Sequence, residues 1–494
     1  MDGDELCFEH EELHRVLLDS IHPGVRDQFH MAVARRLLQH MNEEDIERHL
    51  FTVLSLLFRG RGMLTKPGDQ VDVATLCLHT GRKAVKASAF NYARECLAFG
   101  ISLLRQDSWI RQYDLSLSLY NAAAEVEASI GSLDDMELLV NPVFKHARSF
   151  DDRFQAYCTR IYAEGNGAAR ASIDHALDLL EELGEPLPRK PTKSKLLFMF
   201  VRLRRQLKGM TDEQLMSLPN LTNERQMMAM RVLHLISLTA FMSSAELAPF
   251  IMLKLMQLSL RGQAILSSFA FVGMASFYIV AFRDVKNGER FGKLALQYLE
   301  RYKKQEYMPR VVAPYYSLIR AWSDDLKSTL EPLRQTHRVA LMNGDIEYYE
   351  LSRVAYFVAS MDCGIDMERS STKPRFRSVR RAIRRRLRPW AKVSPQNCLS
   401  MSTLVEAELA AATGSHESAV AKYDLAAEAA RSSDFLMLSA IARELQGRYH
   451  GRCGDLKAAA ILLGKARDCY KEWGALAKVR LLDDELRVPN CCAI

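Results

Sequence analysis

The chain has 494 residues, of which 48% are hydrophobic and 26% charged, with ten cysteines and a formal net charge of +7. Such a composition belongs to a folded soluble chain of about three domains or one long repeat array. The absence of any C-x-x-C pair argues against a zinc ribbon, a disulfide framework or a thioredoxin motif, so singles such as Cys96, Cys158 and Cys469 read as reduced core thiols in a cytosolic compartment. The charge is uneven: residues 373–392 hold ten Lys and Arg and no acid, so the rest of the chain carries −3, seven less ten.

The opening, "MDGDELCFEHEE", is acidic and lacks an apolar run, so no secretory signal is expected. Within it His10, Glu11 and His14 spell H-E-x-x-H, the spacing that puts two zinc ligands on one helix face with Glu as general base. A metzincin continuation would need Gly at 17 and His at 20, where the chain has Leu17 and Ser20. Glu43, Glu44 or Glu47 could offer a further ligand, but only nine residues precede His10, too few for a substrate-carrying sheet. The motif therefore reads as a charged amphipathic helix with Leu13, Val16, Leu17 and Leu18 on its apolar side.

Beyond it the spacing predicts helices of roughly 15 to 25 residues joined by short polar turns, as in Leu177, Leu179, Leu180 and Leu183, and strand signals are nearly absent. The expected fold is all-α. "GEPLPRKPTKS" (184–194) is a Pro-rich connection between helices. The 19 uncharged residues 264–282 are long enough for a membrane span if helical, but three Ser and the closing Arg283-Asp284 favour a helix buried in a large helical protein. Gly288, Gly292 and Lys293 imitate a phosphate-binding loop, with one residue too few between the glycines and Leu294 where a hydroxyl belongs. They read as helix packing. His146, His175, His234 and His337 have no base or nucleophile at a matching offset.

The C-terminal part repeats itself. Ala407, Gly414, Ala419 and Ala426 return forty residues later as Gly447, Gly454, Ala459 and Ala466, with Tyr423 answered by Leu463. This is a tetratricopeptide-like hairpin: a small residue where two helices meet, Gly in the turn, and a larger residue filling the groove. Weaker copies lie at Ala124, Gly131, Met136, Val140 and Val143, and at Gly81, Ser88, Ala93, Leu97 and Gly100. Stacked hairpins bury a core that none could bury alone.

Several phrases resemble the helical-repeat region that follows the AAA-type ATPase in large multi-sensor signalling kinases. They are "YDLSLSLYNAAAEVE" (113–127), "ARSFDDRFQAYCTRI" (147–161), "NGERFGKLALQYLE" (287–300) and "YKEWGALAKVRLLDDEL" (470–486), and the W-G-A-x-A-K ending is the most specific. Phe8, His10, Ile21, Pro23 and His30 fit the winged-helix-like end of the ATPase module, with His22 intruding. The resemblance implies a structural role for His10 and a buried repeat helix at 264–282. The family's catalytic domains lie outside this chain, and no P-loop, H-R-D, D-F-G or G-x-S-x-G phrase is present in it.

The basic segment comprises Lys373, Arg375, Arg377, Arg380, Arg381, Arg384, Arg385, Arg386, Arg388 and Lys392. It offers contact to an anionic surface, with Val379, Ile383 and Leu387 as an apolar stripe if helical; a solvated connection between repeats is the simpler reading. The terminal Cys491-Cys492-Ala493-Ile494 fits C-a-a-X, which makes Cys491 a candidate for lipidation. The expected organisation is a winged-helix-like remnant over 1–65, repeats over 66–362, a basic crossing over 363–395, repeats over 396–486 and a tail over 487–494. The expected function is a non-catalytic scaffold or sensor portion of a signalling ATPase or kinase, cytoplasmic, without cofactor or small-molecule substrate. Its partners are proteins and an anionic membrane surface rather than nucleic acid. The alternatives are a regulatory chain completing an ATPase or kinase in trans, and a peripheral membrane adaptor.

Overall fold

A computed structural model describes residues 22–362 and 388–487, apart from 42, 166, 245, 304, 321–326, 344, 394 and 434. Among these residues the fold is all-α, helices packing in neighbouring pairs, with one isolated bridge between Asn220 and Gln263. The chain forms two compact units, 1–163 and 164–494. That boundary falls within a helix, not at the Pro-rich connection or the basic crossing.

In the first unit α1 (Pro23–His40) packs on α2 (Glu43–Arg59), and α3 (Pro67–Lys86) on α4 (Phe90–Ser102). A short α5 (Ser108–Arg111) leads into α6 (Tyr113–Ile130), which pairs with α7 (Leu133–His146) and is followed by α8 (Phe150–Gly165). Pro23 stands in the first turn of α1, where its missing N–H costs nothing, and the His22 ring accepts from the N–H of Gly24 at 3.2 Å. Asp134 and Asp135 open α7 and Lys145 and His146 close it, opposing the helix dipole at both ends. Leu97, Leu119 and Ala93 belong to one core cluster and Met136, Val140 and Val143 to the next.

The second unit opens with α9 (Ala169–Glu182), α10 (Lys193–Leu207) and a single turn, α11 (Asp212–Met216). Next come α12 (Glu224–Ser243), α13 (Ala248–Arg261), α14 (Ser267–Phe282), α15 (Val285–Tyr302) and α16 (Met308–Pro314). Then follow α17 (Lys327–Met342), α18 (Ile346–Asp362), α19 (Arg388–Val393), α20 (Pro395–Ala412) and α21 (His416–Ser432). The unit closes with α22 (Leu436–Arg452), α23 (Leu456–Trp473) and α24 (Leu476–Arg487). The uncharged stretch becomes α14, sixteen residues long and buried from Ser267 through Ala275. No described helix is long and apolar enough to cross a membrane.

Hairpins in both units share one way of stopping a helix. An N–H two or three residues past the helix reaches back to a carbonyl five residues earlier: Ala89 to Ala84 at 2.8 Å, Ser132 to Glu127 at 3.0 Å, Ser415 to Ala410 at 3.0 Å and Asp455 to His450 at 2.9 Å. This closure needs a left-handed residue just before that N–H. Gly131, Gly414 and Gly454 supply it at φ 91°, 80° and 87°, and Ser88 does so at 57°.

Candidate functional site

The C-terminal hairpins hold the repeat residues expected from the sequence. Ala407, Ala419, Tyr423, Ala426, Ala459, Leu463 and Ala466 are buried, and all but Ala459 belong to one core cluster. Gly447 is also buried; a β-carbon there would meet Leu463 Cγ at 3.0 Å and the Ala459 carbonyl oxygen at 3.2 Å. The small residue on α22 thus lets the larger one on α23 approach the backbone.

Two carboxylates lie inside these hairpins and both have protein partners. Tyr423 donates its hydroxyl to Glu408. Burial pushes the Glu408 carboxyl above its ordinary range, and that hydrogen bond together with the Arg452 charge only partly opposes the shift. Glu444 accepts from Tyr470 at 2.7 Å, Arg448 at 2.7 Å and Lys478 at 3.1 Å. Burial would raise Glu444 too, but the Lys478 and Arg448 charges and the hydrogen bonds outweigh it and hold the carboxyl low. Such buried groups tie helices to one another; their hydrogen-bonding capacity goes to structural partners.

Other residues singled out in the sequence are scattered. Gly288 and Gly292 on α15 face Ile279 and Tyr315, where a β-carbon would come within 2.6 Å, and Lys293 pairs with Glu289 at 3.3 Å. His146 stacks on Trp109 with ring centres 5.1 Å apart, and His175 Nδ1 lies 2.8 Å from Glu164. His337 packs near Tyr349 and Tyr356. His234 is buried edge-on against Phe269, its Nε2 without a hydrogen-bond partner, and burial drives it well below the ordinary imidazole value. Among the described residues no three His, Cys, Asp or Glu are grouped to hold a metal.

Of the basic segment, Lys373 through Arg386 lie outside the described residues, as do His10, Glu11, His14 and Cys491. Arg388 is not the free cation expected: its Nε donates to Glu406 at 2.6 Å, tying α19 to α20. Lys392 is exposed.

A second cationic region escaped the sequence reading. Residues 186–211 contain eight Lys and Arg and no acid. The one acid of the connection before them, Glu185, is buried and accepts from Lys254 at 2.9 Å and from Arg261. Burial would raise its carboxyl, but these two cations hold it below the usual range. The Pro-rich connection is thereby pinned to α13. Between α10 and α13 opens a cleft of two adjoining lobes, about 320 and 260 Å³. Its sequence signal was the acid-free run itself, which is less dense than 373–392. The partners 69 and 76 residues from Glu185 leave no local pattern. Compared with protein-family models and with curated protein sequences, the chain matches none.

Proposed function

We propose that the chain is a non-catalytic helical-repeat scaffold, the sensor or scaffold portion of a signalling ATPase or kinase system, working in the cytoplasm by protein–protein recognition. Position-for-position equivalence of its hairpins carries this reading: a small residue, a left-handed turn and a larger interlocking residue recur at fixed spacing in 67–102 and 436–473. Stacked hairpins of this kind present long rigid helical surfaces, and their folding energy comes from neighbour contacts rather than from a bound group. The signalling context is supported by the phrases at 113–127, 147–161, 287–300 and 470–486. In the same reading the partners are kinase or ATPase domains or helical peptides, and 373–392 adds contact to anionic surfaces without a cofactor.

The purified chain is expected to hydrolyse no ATP, to phosphorylate nothing and to leave casein intact. It is also expected to bind isolated signalling-kinase or ATPase domains in a way that Ala459→Arg abolishes by unfolding the hairpin. Turnover removed by one substitution, such as zinc-dependent proteolysis lost in Glu11→Gln, would overturn the scaffold reading.

A further inference from the structure

We infer that the cleft between α10 and α13 is a docking site for an acidic amphipathic helix of a partner protein, an inference that rests on the scaffold reading and names the partner's chemistry. Charge comes first. The two helices that wall the cleft, 193–207 and 248–261, contain seven Lys and Arg and no Asp or Glu. Lys195 and Arg202 line it from α10 and Lys254 and Arg261 from α13, and no lining residue is acidic. Glu185 offsets part of the charge on Lys254 and Arg261, whereas Lys195 and Arg202 are exposed. Cationic walls on both sides concentrate field lines within the cleft and favour an anionic occupant.

The occupant must also be partly apolar. Phe198 and Leu260 line the same cleft, and Phe198 is 72% exposed. Helix α10 buries only Phe200, Leu203 and Leu207. Leu197 and Val201 of the same helix are exposed as well, and a contiguous run of exposed apolar side chains beside a groove marks a contact surface where an isolated one would not. The lining of α10 runs from Lys195 to Gln206, about 17 Å at helical rise, or three turns of a docked helix. A helix with apolar anchors at i, i+3, i+4 and i+7 and Glu or Asp on its flanks would place anchors against Phe198 and Leu260 and carboxylates against the two walls. A flat bilayer could reach the rim of a cleft but not its floor.

The test uses the full chain and a fluorescein-labelled helical peptide of about 18 residues, Leu at the anchor spacing and Glu elsewhere. A copy with Lys for Glu and vesicles of phosphatidylcholine with about one-third phosphatidylserine serve as comparisons. The acidic peptide is expected to bind, more weakly as salt rises, and the basic copy not to bind. Lys195→Glu with Arg202→Glu, both at exposed positions, should weaken binding roughly tenfold or more. Phe198→Ser should weaken it without changing its salt dependence. Arg204→Glu is exposed on the same helix but outside the cleft, and it should leave binding nearly unchanged. No binding of the acidic peptide, equal losses from Arg204→Glu and the cleft pair, or vesicle binding through Lys195 and Arg202 without peptide binding would each overturn the inference. Failure here with kinase or ATPase domains still bound would leave the scaffold reading standing; loss of both would remove it.

Discussion

The hairpin α3–α4 of the first unit and the hairpin α22–α23 of the second share a frame but differ in how it is filled. Gly81 faces Leu97 as Gly447 faces Leu463; Ala93 answers Ala459, and Gly100 answers Ala466. Their turns close with the same backbone bond, from Ala89 to Ala84 and from Asp455 to His450. The first hairpin is the tighter: a β-carbon at 81 would lie 2.6 Å from Leu97 Cγ, against 3.0 Å from Leu463 Cγ at 447. Its turn is the poorer, with Ser88 left-handed where the second has Gly454, and Ala89 uncapped where Asp455 accepts from the N–H of Ala458 at 3.0 Å. Tight interlock and good turn chemistry are therefore separable; each hairpin has more of one.

The largest effect should be common to both. Ala93→Arg and Ala459→Arg place a charge where neither volume nor partner exists, costing about 3 kcal/mol or more each. Urea midpoints should fall for both variants. An unchanged midpoint for either would mean that its hairpin is not packed on the shared frame.

Each unit holds a buried imidazole that makes its stability depend on pH. Burial lowers His30 in the first unit and drives His234 in the second well below its ordinary value. Neutral His is the native form of each, so unfolding takes up protons. Stability is fully present above about pH 6.5 and is lost as pH falls from there toward the folded value, each pKa unit being about 1.4 kcal/mol. Between pH 7 and 5 the urea midpoint should drop more in wild type than in His234→Phe. Equal drops would mean that His234 is not desolvated.

The interlock itself should distinguish the hairpins. Gly81→Ala forces a β-carbon into Leu97 and should cost roughly 1–3 kcal/mol. Gly447→Ala meets a looser neighbour, and the helix preference of Ala over Gly, about 1 kcal/mol, offsets the crowding. Thermal melting of the two variants should show a clear loss for the first and little change for the second.

The all-α class was readable from periodicity, and the hairpin frame from small residues at fixed offsets, because interlock and turn are local in sequence. The helix within 264–282 was readable as largely buried because a long apolar run must be mostly covered; Ser267 through Ala275 are, while Val280 and Phe282 near its end are exposed. The boundary at 163/164 inside α8 was not readable, since it depends on which neighbours each end of the helix contacts. Neither was the α10–α13 cleft. Arg202 and Lys254 meet only in the fold, and the sequence drew attention instead to the denser run 373–392, of which Arg388 is paired with Glu406.

Exchanging the turns tests the shared frame most directly, through native-state hydrogen exchange of the amides in each hairpin. Ser88→Gly with Ala89→Asp gives α3–α4 the turn of α22–α23. It should raise protection there by about 1–2 kcal/mol, from the relieved left-handed strain and the new cap. Gly454→Ser with Asp455→Ala should lower protection in α22–α23 by a similar amount. Protection that stays the same in both hairpins, or moves in the opposite sense, would contradict the position-for-position equivalence on which the repeat architecture rests.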